Sequence, residues 1–329
     1  LDPVATTCER LRYAWAVGAV KQIALLLLAL AGACKGASHG KTLPVPAQET
    51  GPLTADALMA DVERLCGDEF AGRGSYQAGS KRASDFVYRE FEKLGYQVVR
   101  QRVRGRHAEN IIAIKKGGEE AVVVSAHHDH LGMRGGRMFR GADDNASGLA
   151  VLLGIARSRA KKSYKHTVLF ISFGAEEDGL VGSGVYVHDP IWPLSKTRAV
   201  INFDMVGRNF FEAGADQAEA AAVVGLEFDD TLPDVAQEAA AEVGLHLISV
   251  PARLLELFAL HDRTDDWWFR RQGIGAIHFS TGLHDDYHQV TDTTNKIRPN
   301  QLARVAHTAG ALLDSLANSR RKGHASRGK

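Results

Sequence analysis

The 329-residue sequence predicts an α/β fold, a single three-layer sandwich with a mostly parallel mixed sheet and helices on both faces. Three observations predict it. Runs of strand length such as Val122-Val123-Val124 are apolar without interruption, as in strands buried on both faces. They alternate along the chain with segments whose apolar residues recur at helical spacing, the order expected of helices packed on a parallel sheet. No internal repeat divides the chain into stacked units.

The elements follow in order. Thr54 caps a helix carrying Leu58, Met59, Val62 and Leu65 at helical spacing. A second helix begins near Ser80, aligns Ala83, Phe86, Val87, Phe91 and Leu94 on one face, and stops at Gly95. Strands are expected over 97–101, 110–114 and 121–125, then a helix over 148–160 and a strand over 166–173. After a loop and helix region comes a strand over 199–203. The last third adds a strand over 220–228, a helix over 233–243, strands over 246–250 and 274–280, and a closing helix over 301–316.

A hydrophobic share of 45% with 24% charged residues is ordinary globular composition and supplies a substantial core. A net charge of +1 and the lack of basic runs interleaved with aromatics argue against nucleic acid as a partner. The basic tail, residues 319–329, reads as a solvated end. Three cysteines cannot build a disulfide framework; Cys66, in a helical apolar pattern, reads as a packed small hydrophobe.

Residues 1–33 read as a signal peptide; the alternative, an uncleaved membrane anchor beginning near Ala14, would place Lys21 and Gln22 inside the membrane. Arg10, Arg12 and Lys21 precede an apolar run from Ile23 to Ala33, which is shorter than the roughly 20 residues needed to span a bilayer. The break Ala31-Gly32-Ala33-Cys34 resembles the bacterial lipobox, whose cysteine becomes the lipidated first residue. Residues 34–53, rich in Gly, Ser, Pro and Ala, then form a tether, and residues 54–318 form the folded domain. The expected location is the bacterial cell envelope, with the membrane engaged through the lipid.

The chemistry-bearing residues fall where the expected strands end. His127-His128-Asp129 follows Val122-Val123-Val124, and Glu176-Glu177 follows the strand ending at Phe173. Asp204 follows Ile201-Asn202-Phe203, and His288 lies in the loop after the strand ending at Ser280. Sites in open α/β sheets form at the carboxyl ends of strands. His127 and Asp129, two apart, share a face, which suits a ligand imidazole backed by a carboxylate. Gly141-Ala142-Asp143-Asp144-Asn145 is a glycine-led turn entering a helix. Singly, such acids are commonly caps or solvated pairs; their order and common edge mark a site.

The segment from Ser125 to Gly132 resembles the first motif of the co-catalytic zinc aminopeptidases, and 141–148, 175–183, 202–208 and 288–293 resemble the remaining motifs in the same order. The gaps between matched residues, 17, 33, 27 and 84, are family-like, and the resemblance runs over about residues 54–316. It implies a zinc-exopeptidase-like fold, peptide substrates and two zinc ions per chain. His127 would bind one ion and His288 the other, with Asp144 bridging and Glu177 and Asp204 completing the two shells. Glu176 would be the general base and Asp129 the acid behind His127. The resemblance also implies a cis peptide after Asp144. Thr264-Asp265 with Phe269 resembles a further segment, in which Asp266 stands where the family has histidine.

His128, His130, His278 and His284 match no ligand position; His278 is expected to be hydrogen-bonded in the core and the other three to line the mouth. Loops 254–263 and 283–287 are expected to shape the pocket. Arg137, Arg140 and Arg208 lie near the motifs but do not match the arginine cluster of related carboxypeptidases, so a free α-amine is expected of the substrate. Three relatives compete. Single-zinc glutaminyl cyclases usually lack the first acid of the Asp143-Asp144 pair, and carboxypeptidases and deacylases usually insert a lid domain before the final histidine. Metal-free receptor modules have lost the ligands that are all present here.

If Cys34 carries the lipid, Cys34→Ala releases the protein from the membrane fraction or leaves it unprocessed, because acyl chains supply the anchoring energy. A mutant that stays membrane-bound at unchanged mass would contradict this.

Overall fold

The computed structural model of the chain describes residues 51–209, 219–253 and 262–319. The expected signal peptide, Cys34, most of the expected tether, the residues beyond Ser319 and residues 254–261, part of a stretch expected to shape the pocket, lie outside the described residues. None of the described helices is long and apolar enough to cross a membrane.

Thr54 caps α1 (Ala55–Leu65) through its hydroxyl, which accepts from the Ala57 N–H at 3.2 Å. Helix α2 (Ala78–Lys93) leads into β1 (Gln97–Arg102), β2 (Glu109–Lys115) and β3 (Ala121–His127). A hairpin of β4 (Gly132–Arg134) and β5 (Arg137–Phe139), which the apolar pattern gave no sign of, precedes the turn at 142–147 and α3 (Gly148–Arg159). Then come β6 (Thr167–Phe173), α4 (Val181–His188), β7 (Thr197–Phe203) and β8 (Ala220–Val224). The chain continues through α5 (Leu232–Glu242), β9 (His246–Val250), α6 (Asp266–Arg270), β10 (Gly275–Ser280) and α7 (Pro299–Asn318).

Strand β8 stops four residues before the expected 228. Gly225 takes φ +89, where a Cβ would lie 2.1 Å from the Ala276 carbonyl oxygen, and the chain turns out of the ladder there.

The strands form one sheet in the order β1-β2-β6-β3-β7-β10-β8-β9. The central β6, β3, β7 and β10 run parallel, with antiparallel pairings at β1–β2, β2–β6 and β10–β8. Alternation along β3 explains the layers. Val122, Val124 and Ala126 pack with residues of α1, α2, α3, α5 and α7 on one face. Ala121 and Val123 pack on the other face with Tyr186 and Val187 of α4 and Phe269 of α6. The crossover from β3 to β6 runs through α3 on the first face and that from β6 to β7 through α4 on the other, so the direction of connection reverses about β3. A crevice opens there at the carboxyl ends of the strands.

One buried cation ties the approach to that crevice. Arg73, fully buried at the end of the turn Asp68–Arg73, donates to four carbonyls: His128 at 2.8 Å, Leu65 at 2.9 Å, Arg140 at 2.8 Å and Gly141 at 2.7 Å. Two of these belong to the chain just after β3 and the turn before α3. Arg73→Met fills much of the volume but removes every donor, and a buried acceptor left unpaired costs about 1–3 kcal/mol. The expected loss is about 3–5 kcal/mol, a fall in Tm on the order of 10 °C. An unchanged Tm in a calorimetric scan would show that the guanidinium holds nothing together.

Candidate metal centre

His127 is the last residue of β3, Asp204 directly follows β7, and Glu176 and Glu177 follow β6 by a short turn. His288 descends from the loop after β10. Three non-glycine residues with positive φ adjoin these positions: Ala175 at +61°, Met205 at +57° and His288 itself at +56°. Such conformations are uncommon and persist where the surroundings fix them. Here they turn the chain sharply enough to aim acids and imidazole back over the strand ends.

The side chains converge. His127 Nε2 lies 3.4 Å from Asp204 Oδ1, 3.6 Å from Asp144 Oδ1 and 3.9 Å from Glu176 Oε2. His288 Nε2 lies 2.9 Å from Glu177 Oε2 and 3.2 Å from Asp144 Oδ2. The two oxygens of Asp144 therefore face two different histidines. All five residues expected as ligands meet at one place, with the expected base beside them. Among the described residues, two groups have donor atoms within 4.8 Å of one another, His127-Asp144-Asp204 and His130-Asp144-Glu177.

The turn bearing Asp144 is held from several sides. Gly141 has φ +57, and a Cβ there would lie 2.1 Å from the Asp144 carbonyl oxygen and 2.5 Å from the His130 ring. The Asp144-Asn145 peptide is cis, as the resemblance implies. Asn145 donates to the Phe203 carbonyl at 2.9 Å and accepts from Gly148 N at 3.0 Å. Asp292, fully buried, accepts from the N–H groups of Asp143 and Asp144 at 3.0 and 3.1 Å. Asp143 points away from His127 and His288, accepting from Gly207 N at 2.7 Å and meeting His284 Nε2 at 3.1 Å. Ser147 is structural, donating to the Asp143 carbonyl at 2.7 Å.

Asp129 is fully buried beside His127, but its carboxylate comes no nearer than 3.7 Å to Nδ1. Its oxygens instead accept from Glu176 N at 3.0 Å, Glu177 N at 3.2 Å and the Ser75 hydroxyl at 2.9 Å. The acid expected to back a histidine thus also holds the two glutamates.

Three histidines expected at the mouth lie inside. His128 is clamped between the hydroxyls of Ser84 at 3.0 Å and Ser172 at 2.8 Å. Burial pushes its pKa down to about 4, so it is a neutral packing residue. His284 is buried against Asp143, and His130 is buried with Nδ1 2.7 Å from Glu177 Oε1. In each case the polar partner comes from a distant segment, which sequence spacing does not reveal. His278 is buried and meets Asn202 Nδ2 at 3.4 Å, a hydrogen-bonded core position as expected. Asp266 binds Thr264 Oγ1 at 2.6 Å and Arg270 Nε at 2.5 Å, a structural tie rather than a pocket contact.

The electrostatics are those of a site built around positive charge. Burial works against a charged His127, yet Glu176, Asp204 and Asp129 outweigh it and hold its pKa well above the ordinary value. Burial is likewise outweighed at His288, which Asp144 and Glu177 push up to about 10. Burial, with repulsion from Asp204, Asp265 and Glu177, raises Glu176 well above the usual carboxylate range. Glu177 is pulled below that range because the hydrogen bond from His130 and the charge of the nearby His288 outweigh its burial. Asp265, buried with both oxygens unpartnered, is pushed up to about 7 by burial and nearby acids.

The donors fit a divalent cation. Asp144 Oδ2 and His288 Nε2 are buried without hydrogen-bonding geometry to any partner, although they face each other across 3.2 Å. Lone pairs converging on one point, from carboxylates and imidazoles without thiolate, are the donor set that zinc takes.

The profile of Peptidase family M28 matches residues 110–313, well over half of the chain. The chain is 38% identical over 111 residues to aminopeptidase YwaD of Bacillus subtilis (strain 168), a match covering 32% of this chain and 23% of that protein. The match thus spans about a quarter of that relative's length. The fold is that of BSAP, a zinc aminopeptidase from Bacillus subtilis, at TM-score 0.66 and 17% identity, covering 83% of this chain and 97% of that one. It is equally that of Porphyromonas gingivalis glutaminyl cyclase, at TM-score 0.64 and 21% identity, covering 80% and 99%.

Proposed function

The chain belongs to peptidase family M28, and from that membership and the geometry of its site we propose that it is a two-zinc aminopeptidase hydrolysing the N-terminal peptide bond of peptides. The observation that carries this reading is the division of the Asp144 carboxylate, with Oδ1 facing His127 and Oδ2 facing His288. A bridging acid between two histidine-bearing groups suits a pair of ions better than the single ion of a cyclase. His127, Asp204 and Asp144 would hold one zinc, and His288, Glu177 and Asp144 the other. Ions held so would polarise the scissile carbonyl and make a water acidic enough to attack it at neutral pH.

The chain's own residues supply the proton traffic. Glu176 lies on the His127 side of the cluster, is about a tenth exposed and holds protons more tightly than an ordinary glutamate. It takes the proton from the attacking water and returns it to the leaving amine as the C–N bond breaks. Its neighbour Glu177 is pulled the opposite way, and environments that push two acids apart divide their roles between proton transfer and fixed negative charge.

Two further observations support cleavage at the amino end. Arg140 is engaged with Asp68 and the Cys66 carbonyl, and Arg208 pairs with Asp286 at 3.1 Å, so both face partners other than a substrate carboxylate. The described part of the segment between Asp204 and His288 adds β8, β9 and β10 to the main sheet rather than forming a lid. The reading also includes export of the chain as a lipoprotein anchored through Cys34 and facing peptide substrates at the cell envelope.

The two glutamates provide the test. Glu177→Gln replaces an anionic donor by a neutral amide, so metal occupancy and turnover fall together. Glu176→Gln keeps both ions and loses proton transfer, lowering kcat by about 10²–10⁴. Metal stoichiometry and turnover are measured on the two purified variants. Loss of metal from Glu176→Gln, or near-normal turnover in it, removes the general-base assignment.

A further inference from the structure

His130 has no place among the expected ligands, yet its side chain is wholly enclosed and its Nδ1 lies 2.7 Å from Glu177 Oε1. Its position is fixed on every side. Its backbone N–H donates to the Arg73 carbonyl at 3.3 Å, and it bridges to Gly74. Its ring lies against the bare backbone of Gly141, where a Cβ would come within 2.5 Å, and edge-on to the His288 ring at 5.9 Å.

A carboxylate oxygen only accepts, so the 2.7 Å contact requires the proton on Nδ1. That nitrogen cannot donate to Glu177 and coordinate a cation at once, and Asp144 Oδ2 is farther from it, at 3.6 Å. The other ring nitrogen, Nε2, is buried and has no partner. The two oxygens of Glu177 are thereby separated: Oε1 is taken by His130, and Oε2 faces His288 at 2.9 Å.

Resting on the two-cation reading above, we propose that His130 is a positioning residue. Its Nδ1–H fixes the Glu177 carboxylate so that only Oε2 is presented to the cation shared with His288 and Asp144. Glu177 then binds through one oxygen in a set orientation rather than swinging or chelating through both. Partners that orient a ligand in this way typically change metal affinity by about 10–100-fold when removed.

The test uses two substitutions of similar volume. The amide nitrogen of asparagine can occupy the place of Nδ1, whereas that of glutamine reaches toward Nε2. In the full-length protein, His130→Gln is expected to weaken one of the two zinc ions by about 10–100-fold and leave the other unchanged. His130→Asn, which keeps the donor, is expected to stay near wild-type affinity for both ions. Both variants are titrated with zinc against a competing chelator, and circular dichroism of the metal-free proteins checks that each is folded. Equal affinities in wild type and His130→Gln would overturn the proposal. So would a His130→Asn variant as weak as His130→Gln, because the ring itself, not its donor, would then matter. If His130→Gln does not fold, His130→Asn alone decides, and a loss of one ion there overturns the proposal. A wild-type protein binding fewer than two ions would overturn the two-cation reading itself, and with it this inference.

Discussion

The buried carboxylate of Asp129 accepts from the N–H groups of Glu176 and Glu177 and so fastens the exit of β6 to the exit of β3. Burial would favour its neutral form, but His127 and the Glu176 N–H outweigh this and keep its pKa below the usual range. It therefore stays an anion, and hydrogen bonds to an anion are the strong ones. Asp292 likewise accepts from the backbone N–H groups of Asp143 and Asp144, although burial and repulsion from Asp143 push its pKa up to about 6. Two buried acids thus each grip the main chain of an acidic pair, and in each pair the second member, Glu177 or Asp144, turns toward the histidines. Without these grips the four acids would be ordinary loop residues free to point into water.

That arrangement gathers Asp144, Glu176, Glu177 and Asp204 in a nearly closed space, where like charges repel strongly. The repulsion appears in the rise at Glu176 and in the pull of His127 and His288 toward their cationic forms. A bound divalent ion would offset the same charge, so metal binding and the stability of this corner are coupled. The parallel strands β6, β3 and β7 make the corner possible, because their carboxyl ends lie side by side and leave a crevice where the crossovers diverge.

Much of this was legible in the sequence for a simple reason. His127, Asp204 and the two glutamates lie at or just after the ends of largely apolar runs, and a strand buried on both faces announces where it stops. The turn at 141–148 was visible through its glycine and paired acids. What escaped depended on contacts between remote segments. His128, His130 and His284 read as mouth residues because nothing local marks their partners Ser84, Glu177 and Asp143, which lie 44, 47 and 141 residues away. The role of Asp292, 149 residues from Asp143, is hidden in the same way. Local conformation also deceived: the apolar run after β8 continues past Gly225, but the backbone there turns out of the sheet.

The central claim is that metal held at this corner cleaves the bond next to a free α-amine. It is tested most directly by the turnover of an aminoacyl 4-nitroanilide and of its N-acetylated counterpart by the same full-length protein. Each is measured as purified, after removal of metal by chelator, and after zinc is restored. The account predicts release from the free-amine substrate alone, lost with the metal and regained with zinc. Comparable cleavage of the blocked substrate, or turnover that survives removal of all bound metal, would contradict it.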